Sequence, residues 1–137
     1  MTHSPKAFFA TGAVFALAGM IWGIQMSATH DHTLSPAHGH LNLIGFVAMS
    51  VFGAYYALTP RAAASRLAGL HYLLTVATVL ILVPGIVLAI TERGDVLAQI
   101  GSLLAVASMA LFTVIVLRHG AGQAQDAGPT ASAQPAE

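Results

Sequence analysis

His38 and His40 stand one residue apart at the mouth of an apolar run that continues to Leu58. Imidazole is the commonest metal ligand among side chains, and a chain without cysteine has no thiolate to compete with it. The absence of cysteine also excludes disulfides, iron–sulfur clusters and thioether heme attachment. Ser35 followed by Pro36 signals a helix start: a serine oxygen accepts from first-turn amides, and proline has no amide hydrogen to leave unpaired. Both histidines then lie inside the helix. Residues two apart on a helix point roughly 200° from each other, onto nearly opposite faces. One ion is not readily gripped by both, so each histidine that binds metal faces a different neighbour.

A second His-x-His follows from His30, Asp31 and His32, with a carboxylate between the rings. A flexible loop there lets both imidazoles converge on copper or zinc, or leaves them solvated as an ordinary polar loop. His71 opens another apolar run. At the helical rise it lies about 20 Å in depth from His40, too far to share a metal within one chain. It reads as a hydrogen-bonded interfacial histidine.

The elements that position these groups follow from composition. Of 137 residues 56% are hydrophobic, 7% are charged, and five basic balance five acidic side chains. So few charges cannot cover a soluble domain, and the mean hydropathy is +0.76. Four apolar runs over 7–29, 36–58, 67–90 and 96–118, free of charge up to Arg118 at the end of the last, each reach the roughly 20 residues of a spanning helix. The expected fold is all-α, an integral membrane four-helix bundle. The first run exceeds a signal-peptide core and lacks a small-x-small cleavage site, so it reads as a retained span. Lys6, Arg61, Arg66 and Arg118 fall on one side and Arg93 alone on the other. The positive-inside bias makes residues 1–6 and the tail 119–137 cytoplasmic, in a bacterial inner membrane, with the histidines facing outward. The tail has no periodicity and is expected to be disordered. No basic patch suggests nucleic acid.

Within the runs, Gly19 and Gly23 form a small-x-x-x-small pair suited to close helix approach, and Trp22 fits the membrane interface. Small residues interleave with Phe46, Phe52, Tyr55 and Tyr56 in the second run. Gaps of that kind suit a flat macrocycle as well as tight helix packing. Pro84 is expected to kink the third run. Ionisable groups at membrane depth are expensive, which makes the histidines the functional candidates.

The ordered set Ala37-His38-Gly39-His40, Leu70-His71-Tyr72, Val83-Pro84-Gly85 and the Arg93 turn resembles the last four transmembrane helices of subunit I of the heme-copper oxidases. The resemblance implies that His38 and His40 both ligate heme iron, one on each helix face. It implies that Arg93 meets heme propionates, where the family usually carries two arginines, and that His71 is not an iron ligand. The family's subunit has three four-helix units and this chain is one unit long, without the helices that carry the copper ligands. By that likeness three copies form a cyclic homo-oligomer, a homotrimer in which His38 of one protomer and His40 of its neighbour clamp one heme b.

Two imidazoles fill both axial positions, which suits electron transfer or redox sensing with a periplasmic donor rather than oxygen reduction. The alternatives are a copper or zinc protein using His30 and His32, a structural membrane module, and a heme protein whose labile ligand admits nitric oxide or oxygen.

Overall fold

The computed structural model describes residues 5–123. Among them the chain is helical throughout: α1 (Pro5–Thr29), α2 (Ser35–Asn42), a π-helical stretch (Leu43–Ala48), α3 (Met49–Leu58), the one-turn α4 (Pro60–Ala63), α5 (Arg66–Ile90) and α6 (Val96–His119). Residues of α2, the π stretch and α3 make one rod, Ser35–Leu58, and this rod with α1, α5 and α6 gives four helices long and apolar enough to cross a membrane. The chain is therefore a multi-pass membrane protein. The expected termini fall partly in 1–4 and 124–137, outside the described residues.

The rod corrects the sequence reading twice. It is not a uniform α-helix, because the wide turn at Leu43–Ala48 carries an extra residue where the rod crosses α1. A Cβ on Gly12 would lie 3.3 Å from the Met49 Cβ and 3.6 Å from the Gly45 and Phe46 carbonyls, so the backbones run close together there. Ser35 does not cap by accepting. Leu34 holds the N-cap position, and the Ser35 hydroxyl donates to the His32 carbonyl at 2.7 Å, satisfying the loop rather than the helix.

Without a hydrophobic force between helices in lipid, close van der Waals packing must hold the bundle. Gly85 and Gly101 supply it between α5 and α6: a Cβ on either would lie 2.5 Å from backbone atoms, at Ala98 and Leu82 respectively. Pro84 sits inside α5, which continues through it to Ile90.

The buried cluster of Phe8, Met49, Phe52, Tyr56, Ala68 and Ile115 gathers at the end of the bundle that carries Arg61 and Arg66. There α6 is clasped to the rod. Tyr55 donates to the Gly120 carbonyl (2.8 Å), Arg61 to the His119 carbonyl (3.1 Å), and the Gly122 amide to the buried Thr59 hydroxyl (3.0 Å). The first two bonds satisfy carbonyls that the end of a helix leaves unpaired. Farther along, the rod and α6 part to leave an apolar groove of about 420 Å³, with Leu43, Val47 and Val51 on one wall and Met109 and Phe112 on the other.

Candidate histidine site

The opposite end of the bundle carries the loop after α1, the start of α2 and the turn between α5 and α6. His40 lies in the second turn of α2, and its Nδ1 is 2.7 Å from the Pro36 carbonyl four residues back. A carbonyl only accepts, so Nδ1 carries the hydrogen and donates it. In the neutral ring Nε2 then holds the lone pair. The side chain is exposed, with no partner recorded at Nε2. A metal-ligating histidine is typically fixed in this way, with its second nitrogen donating to a carbonyl and its tautomer set.

His38 points the other way, onto α1. Its Nε2 lies 3.0 Å from the Gly19 carbonyl and 3.1 Å from the Asn42 amide nitrogen, which itself donates to the His38 carbonyl at 2.9 Å. Whichever hydrogen the ring carries, Nε2 has a partner inside its own chain. Trp22 meets the ring edge-on at 6.1 Å. Gly19 and Gly23 make the space: a Cβ on Gly19 would collide with the Asn42 amide, and one on Gly23 would lie 3.2 Å from Nε2. The glycine pair thus seats two polar side chains rather than a bare helix backbone.

His30, with a positive φ of 55°, and His32 are exposed in the loop between α1 and α2. The Asp31 carboxylate accepts from the Thr33 amide at 3.0 Å. The Thr33 hydroxyl, that amide and the nearby His32 hold the Asp31 carboxyl below its ordinary range. Arg93 lies exposed in the turn after α5, at this same end of the bundle, with its amide on the Leu88 carbonyl at 2.9 Å. Among the described residues no three His, Cys, Asp or Glu side chains come together as a metal-holding group. A single chain therefore brings His38 and His40 to one helix turn with their rings on different partners.

His71, near the start of α5, is hydrogen-bonded as expected and lies inside the bundle. It is 0% exposed, because the aromatic cluster closes over it: Phe52 lies at 4.5 Å and Phe112 stacks at 5.4 Å between ring centroids. Its Nδ1 meets the Tyr56 hydroxyl at 2.9 Å, whereas Nε2 has no partner.

Sequence reasoning missed Asn42 and Tyr56. The first had a signal, an amide four residues beyond His38 on the same helix face. The second had none, because fifteen residues and a helix reversal separate Tyr56 from His71.

No family model matches the sequence, and no curated protein or solved structure matches it either.

Proposed function

We propose that this chain is a heme-carrying membrane protein of the kind its likeness to heme-copper oxidase subunit I implies, with His40 as the principal iron ligand and His38 of a neighbouring copy as the second. The observation that carries the reading is the His40 ring: Nδ1 tied to the Pro36 carbonyl on an exposed side chain, which leaves Nε2 as the ring's lone-pair nitrogen. A histidine fixed in this way would suit an iron ligand. His38 fits only by giving up its partners on Gly19 and Asn42. A bound heme b would supply a one-electron iron couple. The chain's own residues do the rest. The Pro36 carbonyl fixes the His40 tautomer. Leu43, Ile44 and Val47, farther along the rod in its wide turn, line the apolar groove. Arg93, at the same end of the bundle, offers a cation to propionate groups.

By the likeness to a subunit built of three such four-helix units, the second ligand comes from another copy of the chain and a ring of three closes the arrangement. Electron transfer or redox sensing is the role, at the outer face of a bacterial inner membrane by the bias of the basic residues.

The test is an absorption spectrum of the protein purified in detergent from a heme-replete host. A Soret band that disappears in His40→Ala and persists in the His30→Ala/His32→Ala double variant is expected. A colourless wild-type protein overturns the reading, and a heme-loaded monomer of bis-histidine type overturns the shared site.

A further inference from the structure

We infer that the apolar groove between the rod and α6 is a binding site for a membrane-dissolved alcohol, an apolar body that carries one hydroxyl. The site stands apart from the histidine end and does not rest on the heme reading. The groove of about 420 Å³ opens into a smaller recess of about 120 Å³, since Ile44, Ala48, Phe52 and Met109 wall both. The recess adds Thr75, Thr78 and Ser108 to its lining. These three are 1%, 0% and 4% exposed, and they sit near the middle of α5 and α6. Polar groups at that depth of a membrane are expensive, and by default they mark a function.

The hydroxyl hydrogens set what the recess takes. Thr75 donates to the His71 carbonyl and Thr78 to the Leu74 carbonyl, each at 2.8 Å and four residues back along α5. Ser108 makes no such bond among the described residues. Its oxygen lies 2.8 Å from the Thr75 hydroxyl instead. Thr75 has one hydrogen, already directed at a carbonyl, so Ser108 is the donor of this pair. The Ser108 oxygen then keeps its lone pairs with no hydrogen to meet them.

A recess with acceptors and no spare donor selects for a ligand that donates. An alcohol does so, whereas a ketone or an ester only accepts and gains nothing there. A carboxylate or an ammonium group finds no opposite charge, because no ionisable side chain lines either space. A phospholipid keeps its head at the membrane surface and brings only hydrocarbon to this depth. Water can donate but leaves the groove unfilled. An alcohol meets both parts of the site, with its hydroxyl at Ser108 and its chain against Leu43, Val47 and Val51.

The experiment exposes the protein in phosphatidylcholine vesicles to a diazirine-bearing octanol and locates the photolabel by mass spectrometry. Saturable labelling at Met109 or within residues 44–52 is expected. At equal concentration in the membrane, octanol should compete about 2–10-fold better than 2-octanone, the equivalent of one hydrogen bond. Ser108→Ala removes the accepting oxygen and should shrink that preference, whereas a merely structural role would weaken both competitors alike. Ala105→Leu fills the recess with its hydroxyls in place and should shrink it too, and it replaces the serine variant if that one fails to fold. Labelling that does not saturate overturns the inference, as does equal competition by the two probes in wild type. A preference unchanged in Ser108→Ala overturns it equally.

Discussion

His71 and Tyr56 share a 2.9 Å hydrogen bond in the closed aromatic end of the bundle, while the second ring nitrogen of His71 bonds to nothing. The pair holds the rod against α5 through a contact that neither lipid nor water can replace. Tyr56→Phe strips the only recorded partner from Nδ1 and should cost about 1–3 kcal/mol, read as a lower melting temperature in detergent. His71→Phe orphans the phenol and should also destabilise. The double variant removes both polar groups and should melt above Tyr56→Phe. Additive losses would contradict this account.

The crossing of α5 and α6 gives a second prediction. Gly85→Ala or Gly101→Ala places a methyl 2.5 Å from backbone, which no rotamer change relieves, so each should lower stability by about 1–3 kcal/mol. Gly39 is the control. It lies in α2 with nothing within 4 Å of a built Cβ, and alanine there should raise stability by about 0.5–1 kcal/mol. Thermal melts of the three variants compare the positions directly.

At the histidine end, Gly19→Ala drives a methyl into the Asn42 amide and should dislodge Asn42 and, through it, the His38 ring. Asn42→Ala alone opens the space without crowding. Combining the two should therefore recover stability lost by Gly19→Ala, with a coupling of about 0.5–3 kcal/mol in a double-mutant cycle. A Trp22 fluorescence change that appears in Gly19→Ala and fades in the pair would report the movement of the neighbouring ring.

The loop between α1 and α2 should respond to acid. Hydrogen bonds from the Thr33 hydroxyl and amide, helped by His32, lower the Asp31 carboxyl below its ordinary value of about 3.9. A carboxyl depressed in the folded state contributes its stabilisation above the ordinary value and loses it as pH falls through the folded one. The Thr33 amide should thus hold a constant NMR shift from neutral pH down to about 4 and move only below that. Asp31→Asn should abolish the step. A transition centred above 4 would contradict the bonding described.

How far the sequence alone carries can be read from these residues. Charge-free runs locate the four spans to within two residues, since membrane thickness leaves little choice of helix length. The opposed directions of His38 and His40 follow from helical periodicity, because α2 is regular up to Asn42. Below that point periodicity fails. No residue type announces the wide turn at Leu43–Ala48, and the burial of His71 depends on Phe8, Phe52 and Phe112 arriving from three different helices. The docking of His38 on a backbone carbonyl was equally hidden, since Gly19 shows its acceptor only once α1 and α2 are side by side.

The wide turn also joins the two halves of the rod. On its loop side sit His38 and His40, and on the other side Phe52 and Tyr56, each half committed to its own neighbours. Because a wide turn takes about one residue more than an α turn for the same rotation, removing one residue between Leu43 and Ala48 should restore a regular helix and leave the imidazoles and the aromatic half facing as they do. The spare residue is thus taken up in the girth of the turn rather than in rotation, so the rod can lose it there and keep both of its halves seated.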